Sequence, residues 1–296
     1  MDSLSTTRLS FWDRITATRG ALVGWTLASL IGNIGIIVTG AFVRLTASGL
    51  GCPTWPRCES DSYVPRAALG HHGLIEFGNR LLTFVLIFLA IMVFVAAVRT
   101  RSDKLTRTLA IVAGLGIPFQ GVIGGITVLT KLNPYVVALH LLLSLALVVT
   151  LTKLWMHVSG RHAVQVPRPA WLASVGAFVA MMIACWLGTV VTGSGPHSGD
   201  GGAARTGLDI QSVARLHSIS VWITVILTIA ALVLLRRAGS KAQRFAAALL
   251  MVELLQGAIG YYQYFAGVPI AAVLLHMLGA GVAAAAAAGL LFAVKA

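Results

Sequence analysis

Long apolar runs alternate with short polar segments along the whole chain. Each run holds about 20 residues with little charge, which is the length an α-helix needs to cross the hydrocarbon core of a bilayer. The first run is too long for the apolar region of a signal peptide and lacks a convincing cleavage site, so it counts as a helix. The pattern predicts an all-α integral membrane protein with eight transmembrane helices, at residues 21–43, 73–98, 106–129, 134–156, 169–192, 214–235, 242–265 and 269–294.

Composition and charge support the membrane interpretation. The chain is 57% hydrophobic and only 10% charged, whereas soluble domains carry about 25% charged residues. The net charge of +13 would suit nucleic acid, but most of the 22 Lys and Arg residues fall in alternate interhelical segments. The positive-inside rule therefore predicts a plasma-membrane protein with both termini in the cytoplasm. The basic residues on the outer side are Arg44, Arg57, Arg66, Arg80, Lys131, Arg205 and Arg215.

The chain contains an internal repeat. The motif QGVIGG begins at Gln120 and QGAIGY begins at Gln256, and a histidine follows each glutamine at the same spacing, at His140 and His276. An even number of helices per repeat predicts two halves of the same orientation, related by an axis along the membrane normal. We expect two tandem pseudo-symmetric four-helix bundles, with the segments assigned as a cytoplasmic N-terminal segment (1–20), two bundles (21–156 and 169–296) and a cytoplasmic linker (157–168).

The repeat also relates the second helix of each half. His217 precedes His276 in the second half, and Asn79 precedes His140 by a similar distance in the first. At about 1.5 Å rise per residue, all four lie within roughly 10 Å of the outer ends of their helices. A histidine from each of two helices suits the two axial positions of an iron porphyrin in a bundle interior. The alternative, that each histidine is a hydrogen-bonded packing residue, accounts less well for the repetition at one depth.

Ionisable residues inside the membrane are the next candidates for function. Glu76 shares a helix face with Asn79, which suits a proton donor or acceptor, although it could simply pair with Arg80. Arg80 and Arg215 are suited to porphyrin propionates, because guanidinium groups bind carboxylates through paired hydrogen bonds. Glu253 is a second intramembrane acid without an assigned role.

Two of the three cysteines, Cys52 and Cys58, share the first outer loop, and Cys185 lies within the fifth span. The outer side of a plasma membrane is oxidising, so a disulfide is favoured, with free thiols as the alternative. Two cysteines with no nearby partners do not complete a zinc site.

Several motifs together resemble the heme A synthase family. They are GAFVRLTASGLGCPTWPRC in and after the first span, IEFGNR at the head of the second, and the duplicated QG motifs on a four-plus-four plan. The resemblance covers essentially the whole chain, and the cysteine loop is its most specific part.

The resemblance implies an activity and a set of site residues. Heme A synthase oxidises the C8 methyl group of heme O to a formyl group by successive hydroxylations, with water as the source of the formyl oxygen. In the family the second half holds a heme b cofactor between two histidines, which match His217 and His276. A histidine matching His140 holds the substrate heme in the first half, and a glutamate matching Glu76 is the catalytic acid/base candidate. The paired loop cysteines match Cys52 and Cys58.

The sequence departs from the commonest family pattern at Asn79, where many members have histidine. The substrate heme is then held by His140 alone, or Asn79 holds a water on the iron. The family further implies association with heme O synthase and self-association. We also expect an electron-transfer partner and, from the distribution of charge, no nucleic acid. Two other classes of function stay open: a membrane cytochrome b that only passes electrons, and a transporter built from parallel repeats.

Overall fold

The computed structural model describes residues 10–296 and is built almost entirely from α-helices. Residues 1–9 of the predicted N-terminal segment lie outside the described residues. The elements, in chain order, are α1 (Phe11–Thr16), α2 (Arg19–Leu45), a 3₁₀ turn (Ala67–Leu69) leading into α3 (Gly70–Arg99), α4 (Lys104–Leu129), α5 (Pro134–Val158), β1 (Val164–Gln165), α6 (Arg168–Ser194), α7 (Ile210–Arg237), α8 (Gln243–Phe265), α9 (Ile270–Ala293) and β2 (Val294–Lys295).

Within residues 10–296, eight helices are long and apolar enough to cross a membrane, which confirms the eight predicted spans. The second begins earlier than predicted, because the helix continues outward through His71 and His72, beyond the apolar run. Large apolar side chains cover the outer surface, such as Phe84 at 68% exposed and Leu115 at 67%. Exposed apolar surface on this scale would be a liability in water, and it fits an integral membrane protein whose outer faces contact lipid.

Short polar side chains begin several of these helices. Each accepts a hydrogen bond from a backbone N–H of the first turn, which satisfies a donor that has no partner within the helix. In α5 the capping residue precedes a proline at the first helical position, as the sequence predicts. The capping residues are Thr18 for α2, Asp103 for α4, Asn133 for α5 and Asp209 for α7.

Asp103 also links two helices. Its Oδ1 accepts from the backbone N–H of Thr106 at 2.8 Å, and its Oδ2 lies 2.7 Å from Nε2 of His157. The hydrogen bonds from Thr106, and then that from His157, lower the pKa of the Asp103 carboxyl to about 2. His157, the first residue of the predicted linker, lies in the last turn of α5, and its ring is held by Asp103.

The helices contact one another in the same order in both halves of the chain. In the first half, α2 contacts α3, α3 contacts α4, α4 contacts α5, and α5 contacts α2. In the second half, α6 to α9 form the corresponding closed ring. Each set of four helices therefore encloses an interior of its own.

The two rings meet through α2, α5, α6 and α9. Ala284 of α9 is fully buried here, in a cluster with Leu30 and Ile37 of α2 and Val148 of α5. Small side chains let helices approach closely inside a membrane, where dispersion contacts rather than the hydrophobic effect drive association. The alanine-rich second part of α9 is therefore suited to a position between two bundles.

One feature of the fold is absent from the sequence predictions. The linker strand β1 pairs in parallel with β2 at the C-terminal end, with Val164 opposite Val294. The Val166 N–H also donates to the Lys295 carbonyl at 3.0 Å. Two residues per strand give too short a pattern to detect, and the pair ties the C-terminal end to the linker between the halves.

Candidate functional site

The interior of the second four-helix ring, α6 to α9, brings two histidines together. His217 lies on α7 and His276 on α9, and their ring centroids are 6.4 Å apart with planes at 82°. An ion bound about 2 Å from one nitrogen of each ring would need centroids roughly 6 Å apart. The separation therefore suits a metal shared by the two imidazoles, as the repeat predicts.

The surroundings of the two rings fit metal ligation. Nδ1 of His217 lies 2.9 Å from the Ala184 carbonyl oxygen. A carbonyl only accepts, so Nδ1 carries the proton and Nε2 keeps a lone pair for a ligand. Nδ1 of His276 is buried without a hydrogen-bond partner among the described residues, which is costly unless a further group occupies the site.

Glycines face the rings from the neighbouring helices. A Cβ atom at Gly188 on α6 would lie 3.4 Å from Cε1 of His217, and one at Gly260 on α8 would lie 3.5 Å from Cε1 of His276. Both rings therefore pack against bare backbone. This donor set, with two imidazoles and one orphaned nitrogen in an apolar bundle, fits a heme iron.

The first ring contains one histidine at the equivalent position. His140 lies on α5, its Nδ1 is buried without a partner in the described chain, and a Cβ at Gly124 would lie 3.4 Å from its Cε1. Gln120 on α4 donates from Nε2 to the His140 carbonyl at 3.0 Å and to Ser144 Oγ at 2.6 Å. The glutamine of the repeated motif thus fixes the helix turn that carries the histidine, a role that the sequence does not reveal.

Asn79 lies on α3, where the second half has His217. Its Oδ1 accepts a hydrogen bond from the Thr39 hydroxyl on α2 at 2.7 Å. The amide oxygen is therefore engaged with a neighbouring helix. Thr39 directly precedes the stretch that resembles the family motif, and its contact across to α3 is a tertiary feature.

Glu76 is buried near the start of α3 and pairs with Arg80 one turn further on. Arg80 donates to Oε1 from Nε at 3.1 Å and from Nη2 at 2.5 Å, while the backbone N–H of Cys52 donates to Oε2 at 2.6 Å. Both carboxylate oxygens are thus hydrogen-bonded, and the carboxylate connects α3 to the cysteine loop.

Arg80 holds the same loop through its remaining donors. It donates to the carbonyls of Arg57 at 3.2 Å, Cys52 at 3.0 Å and Thr54 at 3.1 Å. In this arrangement its guanidinium is occupied by protein groups, so its predicted role toward a propionate stays a prediction. Arg215, the other residue predicted for that role, is exposed; it is two residues from His217 and so points to a different face of α7.

The cysteine loop covers the end of the first four-helix ring at which α3 begins. Cys52 and Cys58 form a disulfide and are fully buried, which bears out the favoured alternative. The indole of Trp55 lies directly over Gly125, where any Cβ atom would overlap it. Since Gly124 faces His140, the tryptophan lies against the next residue of the same helix, a contact that no sequence signal indicates.

Glu253 is an intramembrane acid that lies outside the candidate site. It is 2% exposed on α8, and its Oε1 accepts from the Thr228 hydroxyl of α7 at 2.8 Å. Its Oε2 has no partner among the described residues. It lies seven residues from Gly260, about 10 Å further into the membrane than the histidine pair.

The comparison with family models matches a segment that runs from the first long helix to the end of α6. The COX15-CtaA model of cytochrome oxidase assembly proteins matches residues 23–197, which include Glu76, the cysteine loop and His140. His217 and His276 lie beyond that match, so the candidate metal site of the second half depends on the geometry given above.

Several similar proteins carry the name heme A synthase. The Shewanella oneidensis protein is 31% identical over 201 residues, covering 62% of this chain and 58% of that protein. The Halalkalibacterium halodurans protein is 36% identical over 129 residues, covering 42% and 43%. The Listeria welshimeri protein is 31% identical over 118 residues, covering 39% and 38%. The chain thus spans less than two thirds of the length of each of these relatives. The family model matches more than half of this chain. The chain therefore belongs to the COX15-CtaA family of cytochrome oxidase assembly proteins, in agreement with the resemblance of its sequence to heme A synthase.

Proposed function

We propose that this protein is an oxidoreductase that converts heme O to heme A by oxidising the C8 methyl group to a formyl group. The observation that carries the proposal is the His217–His276 pair, 6.4 Å apart in the interior of the second ring. Family membership and the names of the relatives support the choice of reaction.

The two halves have different roles in this proposal. His217 and His276 hold heme b, which supplies one-electron transfer when it is bound. His140 holds the substrate heme in the first half, where Asn79 replaces the second histidine. The repeated order of helix contacts and the repeated Gln–Gly–His arrangement support a pseudo-symmetric origin of the two sites.

Asn79 is the residue that makes the halves unequal. An amide is a weaker iron ligand than an imidazole, and the Asn79 oxygen already accepts from Thr39. One face of the substrate iron is therefore left without a strong protein ligand, which is what a site for oxidation needs and an electron-transfer site does not.

Glu76 is the group of this chain that moves a proton at the substrate. It lies on the same face of α3 as Asn79, and its Oε1 and Oε2 are positioned by Arg80 and the Cys52 N–H. A carboxyl group fixed beside an apolar macrocycle can accept a proton that the methyl oxidation releases. Arg80 orients the carboxylate and keeps the cysteine loop closed over it.

The setting of the enzyme completes the proposal. The charge distribution favours the plasma membrane with both termini in the cytoplasm and the cysteine loop outside. The family resemblance favours contact with heme O synthase, an electron-transfer partner and a second copy of the chain.

Product analysis tests the proposed function. Membranes that contain the full chain and heme O should accumulate heme A, measured by chromatography and mass. The His217→Ala and His276→Ala variants should lose the α-band of a bis-histidine heme and the product, whereas His162→Ala, in the linker between the halves, should keep both. A colourless wild-type protein, or one that forms no heme A, would contradict the proposal.

A membrane cytochrome b that only passes electrons is the second candidate. The observation that favours it is that both carboxylate oxygens of Glu76 already accept hydrogen bonds from protein groups. A cytochrome would show the bis-histidine spectrum but leave supplied heme O unchanged, so the same product analysis separates the two functions.

A further inference from the structure

A small cleft opens between the two halves at the outer ends of α2, α5 and α6. Apolar side chains of α5, including Val137 and Leu141, form one wall. Arg44 of α2, Thr192 of α6 and Ser198 of the following loop form the other end. A cleft with one apolar wall and one cationic, hydroxyl-bearing end suits an amphipathic anion.

Arg44 lacks a counter-charge in the described chain. Its Nη1 donates to the His197 carbonyl at 2.7 Å, and no Asp or Glu between residues 10 and 296 forms an ion pair with it. The like charge of Arg205 also acts on it. A guanidinium has five N–H donors, and leaving a half-buried one without an anion is costly.

A second feature favours an anion in the same place. Helix α5 is 25 residues long and begins at Pro134, which lines the cleft. The amino end of a helix carries a partial positive charge and attracts anions. The carboxyl ends of α2 and α6 are also nearby, but they carry only partial negative charge and do not neutralise a full cation.

The cleft is adjacent to the histidine pair of the second ring. Thr192 lies one helical turn, or about 6 Å, outward of Gly188, the residue that faces His217. His197, whose carbonyl binds Arg44, donates from Nε2 to the Val268 carbonyl at 3.3 Å. Val268 stands just before α9, the helix that carries His276. The cationic end of the cleft is therefore near the outer edge of the proposed heme b site.

We propose that Arg44, with the hydroxyl of Thr192, binds a propionate carboxylate of the heme held by His217 and His276. The inference rests on the proposed function and adds a ligand contact to it. It assigns the propionate role to a residue of the N-terminal half rather than to Arg215. The second heme site is then completed only when the two halves are packed together.

The test measures porphyrin binding and not turnover. Purified full-length apoprotein in phosphatidylcholine nanodiscs is titrated with iron protoporphyrin IX and with its dimethyl ester, which lacks the carboxylates. Arg44→Gln should weaken binding of the free acid at least about tenfold, because a charge-assisted hydrogen bond is lost, and should leave binding of the ester unchanged. Arg44→Lys should recover part of the affinity.

Lys131→Gln is the matched control, because it removes a positive charge from an exposed residue beside the cleft, next to Leu132. It should bind the acid and the ester as the wild type does. An equal loss of affinity for acid and ester in Arg44→Gln, or no loss, would overturn the inference. Oleate or phosphatidylglycerol could instead compete with both porphyrins equally, and Arg44→Gln could abolish that competition. This result would assign the cleft to a lipid anion and would also overturn the inference. Failure of the wild type to bind either porphyrin would instead contradict the proposed function.

Discussion

At the scale of single residues, Glu76 serves two purposes with one carboxylate. Its oxygens hold the Cys52 N–H and the Arg80 guanidinium, and the proposed reaction needs the same group beside the substrate. Breaking a buried ion pair by removing one partner typically costs about 3–5 kcal/mol. The value here should be lower, since the Arg80 side chain is 21% exposed and part of the pair faces solvent.

Replacement of Glu76 by glutamine separates the two purposes. Glu76→Gln keeps the shape, but the amide cannot accept from both Cys52 and Arg80 and cannot take up a proton. We expect the heme spectrum of the second half to be retained and formation of heme A to fall by at least about a hundredfold, in the range of a lost general acid or base. Chromatography of extracted hemes gives the measurement.

Glu59→Gln provides the control, because Glu59 is a carboxylate of the same loop whose partner is Arg66. This variant should produce heme A normally. Full heme A production by Glu76→Gln would end the assignment of Glu76 as the acid/base group and leave it only the role of holding the loop.

The sequence allowed prediction of those residues of the site that depend on helix spacing. His217 and His276 could be paired because two regular helices convert residue number into depth. The bonds of Glu76 to Cys52 and of Asn79 to Thr39 could not be predicted, since they depend on where an irregular loop and a neighbouring helix come to rest. The cleft at Arg44 could not be predicted either, because it exists only at the contact between the two halves.

At the scale of elements, the cysteine loop is held by three kinds of contact: the disulfide, the Glu76–Arg80 bonds and the Trp55 ring on Gly125. The eight helices follow from apolar runs of about 20 residues. Inside a membrane, such a run must form a helix to satisfy its own backbone hydrogen bonds. The loop has no such constraint, so only its disulfide could be anticipated, from two cysteines on the side predicted to be oxidising. Its path over α4 requires a glycine at position 125, where any side chain would overlap the indole.

A substitution at this glycine tests whether Trp55 closes the first ring. Gly125→Val should displace the indole of Trp55, because the new side chain occupies its space. Amide hydrogen exchange across residues 50–62 should then rise. Gly121→Val is the matched control, since a Cβ atom at Gly121 on the same helix meets nothing within 4 Å. Equal exchange of the loop in both variants would show that the tryptophan contact does not hold the loop in place.

At the scale of the whole molecule, contacts among the loops determine which segments share a side of the membrane. The Gly49 N–H, just before the cysteine loop, donates to the Gly199 carbonyl of the α6–α7 loop at 2.8 Å. Both loops must therefore face the same compartment. The opposite face carries the Asp103–His157 contact and the β1–β2 pair, so the side of any one loop determines the side of every other.

Labelling from outside the cell tests the orientation. Gly201→Cys places a thiol in the α6–α7 loop and Ala238→Cys places one just beyond the other end of α7, both at exposed positions. The native cysteines should react little, because Cys185 lies within α6 and Cys52 is bonded to Cys58. A membrane-impermeant maleimide should label Gly201→Cys in intact cells and Ala238→Cys only after permeabilisation. The reverse pattern would put the cysteine loop in the reducing cytoplasm, where a disulfide between Cys52 and Cys58 would not persist, and both the charge-based orientation and the proposed position of the site would then be wrong.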